Sequence, residues 1–169
     1  MKIEKPFIIW TTQRAGGTNL SHRLMQLSVH PKTDHEPFLE NRCYGHVTLK
    51  WIDHGNMDEL MSDIASICSQ SILIKHCVGL VPWEISCSLM KVSTSMGYRH
   101  VFLHRKSAFD RLLSLYFASQ TGIWAQDMES FVRVTGGQEL STDVTFMYDY
   151  NDVINKELPI EWLACNEDY

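Results

Sequence analysis

Arg14, Gly16, Gly17 and Thr18 are the residues of this chain whose types and spacing most directly suggest chemistry. They stand in Thr11-Thr12-Gln13-Arg14-Ala15-Gly16-Gly17-Thr18-Asn19. An arginine is a permanent, fork-shaped cation suited to phosphate and sulfate oxygens. Two adjacent glycines let the backbone turn tightly and let an anion approach its N–H groups. An apolar run, Phe7-Ile8-Ile9-Trp10, precedes the loop. A segment carrying Leu20, Leu24 and Leu27 at i, i+4 and i+7 follows it. A buried strand entering a tight loop that opens a helix presents free amides and the positive end of the helix dipole to an anion. Isolated, R-x-G-G-T is an ordinary glycine turn; its place between strand and helix makes it a candidate anion cradle. The common triphosphate loop G-x-x-x-x-G-K-[ST] is not matched, since no lysine separates Gly17 from Thr18.

A second constellation lies in Val101–Tyr116, VFLHRKSAFDRLLSLY. Arg105 leaves the end of an expected strand, and so should project at the same sheet edge as the first loop. Ser114 falls one to two turns into the next helix, beside its apolar stripe and on the same side as Ser107. An arginine and a hydroxyl converging there could hold a second phosphate. Cys43-x-x-His46 and His76-Cys77 do not have the spacing of a known metal pairing. Lys75 reads as a catalytic cation or as a charge at a strand end, and Trp124 as a pocket wall or as core.

The elements that must position these residues follow from periodicity. The first unit is a strand at Pro6–Trp10, a loop at Thr11–Gly17 and a helix at Thr18–Val29, with Pro31 beyond its end. From His30 to Gly55 the chain is polar and irregular, reading as a substrate-facing connection with a short strand at Val47–Trp51. Asn56 and Glu59 form a capping box for a helix at Met57–Ser69, whose buried stripe is Leu60, Met61, Ile64, Ile67 and Cys68. Ser71–Lys75 reads as a fully buried strand. A helix at Trp83–Met96 ends at Gly97, and Tyr98–His104 is the next strand. Ser107 caps a helix with Phe109, Leu112, Leu113, Tyr116 and Phe117 as its stripe. A weaker helix is expected at Asp127–Val134, stopped by Gly136-Gly137, and a strand at Val144–Tyr148. Strands alternating with helices predict an α/β fold with a mainly parallel central sheet flanked by helices, and a ligand at the carboxyl ends of the strands.

Composition sets outer bounds. At 169 residues the chain is expected to be one domain, residues 1–169, with 44% apolar and 21% charged residues. A net charge of −5 argues against a general nucleic-acid binder. Five cysteines (Cys43, Cys68, Cys77, Cys87 and Cys165) without a C-x-x-C pair suit a reduced compartment. No apolar run approaches the roughly 20 residues of a membrane span, and no signal-peptide core opens the chain. The expectation is a soluble, cytoplasmic protein.

Together, the two arginine-bearing stretches resemble the sulfotransferases that use 3′-phosphoadenosine 5′-phosphosulfate (PAPS). FIIWTTQRAGGTNL is similar to their 5′-phosphosulfate loop, in which Lys or Arg precedes S-G-[ST]-T. VFLHRKSAFDRLLSLY is similar to their 3′-phosphate segment, and its Arg105-to-Ser114 step resembles the bacterial, trehalose-type carbohydrate branch. The resemblance covers about Lys5–Gln120, and the C-terminal part is short relative to the family. It implies a P-loop NTPase-like (sulfotransferase) fold, PAPS as co-substrate, adenosine 3′,5′-bisphosphate (PAP) as product and no metal. It also implies that the amides of Ala15, Gly16, Gly17, Thr18 and Asn19, with the Thr18 hydroxyl, bind the 5′-phosphosulfate. Arg14 would neutralise the sulfuryl and bridging oxygens, while Arg105 and Ser114 would take the 3′-phosphate. Gly17 departs from the family's Ser or Thr. In-line transfer to a small-molecule or carbohydrate hydroxyl also needs a general base. Glu36, in Glu36-Pro37-Phe38, resembles the bacterial branch's segment; Glu40 is the next carboxylate. His76 in ILIKHCVGLVP resembles the K-T-H-L-P segment of cytosolic members. Glu36 is the preferred of the three. Two other readings stand beside this one: a non-catalytic, nucleotide-binding relative, and an atypical kinase-like phosphotransferase. The short C-terminal region adds the expectation of a homodimer.

Overall fold

The computed structural model describes residues 2–30, 32–122 and 124. The helix expected at Asp127–Val134, the strand expected at Val144–Tyr148 and the acidic tail lie outside these. The chain divides into two units, Met1–His104 and Arg105–Tyr169. No helix among the described residues is long and apolar enough to cross a membrane.

In the first unit the apolar run becomes strand β1, Phe7–Thr11, buried along its whole length. Helix α1, Gly17–Leu27, follows. Its leucine stripe is corrected in one place. Leu20, Leu24 and Met25 pack on Phe7, Ile9 and Leu73, whereas Leu27 is 52% exposed. Leu27 is the last residue of the helix, and Met25 makes the core contact instead.

The stretch His30–Gly55 holds more regular structure than its composition suggests. Thr33–His35 forms strand β2, and Gly45–His54 forms helix α2. The strand expected at Val47–Trp51 is therefore overturned. Its β-branched and aromatic residues serve a helical face instead. Val47 and Thr48 are buried, while Leu49 and Ile52 point outward. The Thr48 hydroxyl donates to the Phe38 carbonyl, fixing the helix against the turn before it.

Helix α3, Met57–Cys68, has the Asn56 half of the expected capping box, the Asn56 side chain accepting from Asp58 N and Glu59 N. Glu59 pairs with Lys50, which also reaches Asp63 at 3.0 Å, so an ion cluster ties α3 to α2. Leu60, Ile64, Ile67 and Cys68 are its buried residues, with Met61 half-buried. Strand β3 is Leu73–Cys77 rather than Ser71–Lys75. Ser71 adopts a left-handed turn (φ 53°), so the extended run starts two residues later and takes in His76. Helix α4, Trp83–Ser95, ends before Gly97, and strand β4 is Arg99–Leu103.

The four strands among the described residues are parallel, in the order β2-β3-β1-β4. From β1 the chain steps over β3 to the sheet edge; from β2 it steps back through β3 and over β1 to β4. Right-handed crossovers running in opposite directions place their helices on opposite faces. Accordingly α1 covers the face of Phe7, Ile9 and Leu73, and α4 reaches the other face through Ser86 on His76. Connections leave β1 and β3 toward opposite faces, so the switch point at which open α/β sheets form their ligand crevice falls at the carboxyl ends of these neighbouring strands.

In the second unit, helix α5, Ala108–Thr121, has the expected cap, the Ser107 hydroxyl accepting from Asp110 N. Leu112 and Tyr116 are buried with Leu113 and Phe117 against them. Phe109 is 64% exposed, in the first turn, and is not part of this stripe.

The burial pattern makes a direct prediction. Ile9→Ala removes a fully buried side chain and should cost about 2–5 kcal/mol. Leu27→Ala should stay within about 0.5 kcal/mol. Urea denaturation of the two variants checks both values.

Candidate functional site

The crevice between the ends of β1 and β3 gathers the loop that the sequence singles out. Val78 N donates to Thr11 O at 2.8 Å, holding the two strand ends together. Ala15 N donates to Thr12 O, closing a turn, and Leu20 N donates to Gly16 O as the helix begins. Gly16 sits at the N-cap with φ 91°. No side chain caps α1, and the first-turn amides of Gly17, Thr18 and Asn19 have no acceptor within a helix of this geometry. Arg14 is half-buried and left-handed, with φ 64°. A non-glycine residue held there stores strain, which concentrates at functional sites.

Gly17 explains its own identity. A Cβ at this position would lie 2.9 Å from Thr11 Cγ2 and 3.0 Å from Lys75 Cε. Helix α1 therefore starts in direct contact with the ends of β1 and β3. Serine or threonine, the residues expected at 17 by family resemblance, would displace one of those neighbours.

Lys75 is the second centre of the site. It is 8% exposed, and its ammonium is ion-paired with Glu36 Oε1. Glu36 N also donates to Lys75 O at 2.7 Å. Glu36 thus leaves β2 tied to Lys75 by main chain and side chain, and it too is left-handed, with φ 50°. Pro37 and Phe38 bury themselves directly after it, and Leu39 N donates back to Glu36 O. Glu40, one turn further, is exposed. Burial, and then the charge of Lys75, lower the His35 imidazole below its ordinary pKa.

Strand alternation sends the neighbouring residue the opposite way. His76 is buried beneath Trp10 (ring centroids 5.1 Å apart) and Phe38 (6.1 Å), with Nε2 at 2.8 Å from Ser86 Oγ. Burial, with the charge of Lys75 as the smaller cause, pushes its pKa down to about 3. The imidazole is a neutral core group on the α4 face. Lys75 and Glu36 stand on the α1 face.

No family model, curated protein or solved structure matches this chain. Its chemistry must be read from its own residues. Of those named from sequence, Arg14, Ala15, Gly16, Gly17, Thr18 and Asn19 form one loop at the crevice. Glu36 stands at the same sheet edge, tied to the lysine under that loop. Arg105 and Ser114 belong to the second unit. There, Arg105 is exposed and donates to Asp110 O at 3.4 Å, and Ser114 is half-buried in α5. Trp124 is exposed. No group of three or more His, Cys, Asp or Glu among the described residues is arranged to hold a metal. No local sequence pattern reveals the pairing of Lys75 with Glu36. The partners are 39 residues apart, and the strand that aligns them, Thr33-Asp34-His35, has no apolar signature. The signal available was Lys75 at the end of an apolar strand, where a buried charge demands a partner.

The His76 environment sets a pH dependence. Above about pH 6.5 the imidazole is neutral in both the folded and unfolded chains. As pH falls, the unfolded chain takes up a proton that the folded chain refuses. Stability is therefore lost progressively toward pH 3, by up to about 1.4 kcal/mol per pH unit from this group. Urea denaturation between pH 7 and pH 4 should show that slope flattened in His76→Gln; an equal slope would refute it.

Proposed function

We propose that this chain is a PAPS-dependent sulfotransferase with a P-loop NTPase-like core. The observation that carries this is the strained, arginine-bearing loop at the mouth of the β1–β3 crevice, with a tethered carboxylate at the same edge. An anion-binding loop alone fits many phosphate ligands. A carboxylate placed next to it, with a cation before rather than after the glycines, suits transfer of a sulfuryl group to a hydroxyl. The parallel order β2-β3-β1-β4, with β1 feeding the loop, supports the fold the resemblance implies.

In this reading the amides from Ala15 to Asn19 and the Thr18 hydroxyl hold the 5′-phosphosulfate. The acceptor hydroxyl oxygen attacks sulfur, and the bond from sulfur to the bridging phosphate oxygen breaks. The acceptor proton passes to the general base. Adenosine 3′,5′-bisphosphate leaves with the electron pair of the broken bond, and the acceptor becomes a sulfate ester. Arg14 meets the charge that grows on the bridging oxygen, the electrostatic role in which a preorganised cation is most effective. The resemblance gives the 3′-phosphate to Arg105 and Ser114, on sequence spacing alone. Among the three base candidates we assign the role to Glu36. His76 is closed off behind Trp10 and Phe38, and Glu40 lies out on the exposed turn.

Incubation with sulfur-labelled PAPS and a mixed extract of carbohydrate and small-molecule acceptors tests the proposal, with mass identification of the product. Label should move to a hydroxyl. Arg14→Ala should lower transfer by about 10²-fold or more with the thermal melting curve preserved. Label that never leaves PAPS, or an Arg14→Ala enzyme as fast as wild type, would contradict it.

A further inference from the structure

The least expected feature of the crevice is that one buried side chain touches both halves of the proposed reaction. The Lys75 stem passes directly beneath Gly17, with Cε 3.0 Å from where a Cβ would stand. Its ammonium then ends on Glu36. Glu36 is held a second time, by its own N–H on the Lys75 carbonyl. The residue at the start of the anion loop's helix is therefore in van der Waals range of the residue that grips the carboxylate.

We propose that Lys75 is a positioning residue for the proposed sulfuryl transfer, fixing the Glu36 carboxylate at the acceptor side of the crevice and tying its position to that of the donor loop. This rests on the reading of Glu36 as general base. Physically, a carboxylate following a three-residue edge strand has little packing of its own to hold it. A charge-assisted hydrogen bond from a nearly buried ammonium supplies the missing restraint. Lys75 can do so because it is nearly buried and its strand is flanked by β1 and β2 on either side. A base held in this way meets the acceptor hydroxyl in one orientation. A displacement of about 1 Å is enough to cost about 10²-fold in rate.

Gly17 then has a second role besides admitting an anion. Any side chain there would push on the Lys75 stem, and the push would be passed to Glu36. The absence of the family's hydroxyl at position 17 is accounted for by what lies beneath it.

Steady-state kinetics of the full chain with PAPS and the acceptor found in the transfer assay test the proposal. Lys75→Met keeps the stem and removes the charge. It should lower kcat by about 10²-fold and leave the KM for PAPS within a factor of about three. Lys75→Arg should restore part of kcat. In the Lys75→Met background, Glu36→Gln should cost little more, because residues acting as a unit are not additive. The double variant also removes both charges of the pair, so it stays folded where Lys75→Met alone leaves the Glu36 carboxylate without its partner; circular dichroism melting verifies this. An unchanged kcat in Lys75→Met overturns the positioning role. So does a raised KM for PAPS at constant kcat, which would make Lys75 a donor-binding group. So do fully additive losses in the double variant. A wild-type chain that transfers no label overturns instead the sulfotransferase reading, and this inference with it.

Discussion

The closeness of helix α1 to the sheet at Gly17 is the constraint on which the rest of the site depends. Hydrogen is the only side chain that fits between this position, Thr11 and Lys75. Because it fits, α1 begins at the very ends of β1 and β3 and its first amides open onto the crevice between them. The turn that makes this entry possible is costly. Arg14 must be left-handed, and Gly16 takes the φ of 91° that follows. Strain of this kind persists only where surrounding structure over-determines it. Here the determinants are the buried β1 strand before the loop and the Leu20, Leu24 and Met25 face of α1 after it.

Electrostatics in the same region are arranged by the two-residue period of a strand. Adjacent residues of β3 face opposite ways, so Lys75 and His76 meet different solvents. Lys75 lies on the α1 side and carries a charge that must be partnered; separating it from Glu36 would strand that charge at a cost of roughly 3–5 kcal/mol. His76 lies on the α4 side among aromatic rings and remains neutral far below its ordinary pKa. Sequence resemblance alone cannot separate a strand-end histidine that faces substrate from one that faces the core. One position along the strand sets which face the side chain takes.

Much of this is legible in the sequence, for identifiable reasons. The strand, loop and helix from Phe7 onward carry a period change and a glycine turn, both local signals. The Asn56 and Ser107 caps and the stop at Gly97 are equally local, and each falls where expected. Failures come where the deciding partner is distant. Val47–Trp51 is rich in strand-forming residues, yet it is helical, with Val47 and Thr48 buried and the Thr48 hydroxyl bonded to the Phe38 carbonyl. β2 is three polar residues whose extended form is imposed by pairing with β3. Glu36 is legible as a candidate base, but its tether to Lys75 needs the sheet order, which no local pattern specifies.

Donor recognition is the central claim, and it can be measured without knowing the acceptor. Calorimetric titration of adenosine 3′,5′-bisphosphate into the purified chain should show saturable one-to-one binding. Adenosine 5′-monophosphate, which lacks the 3′-phosphate, and ATP with magnesium should bind far more weakly. Absence of binding heat with the bisphosphate, or a clear preference for ATP with magnesium, would contradict the account at its root.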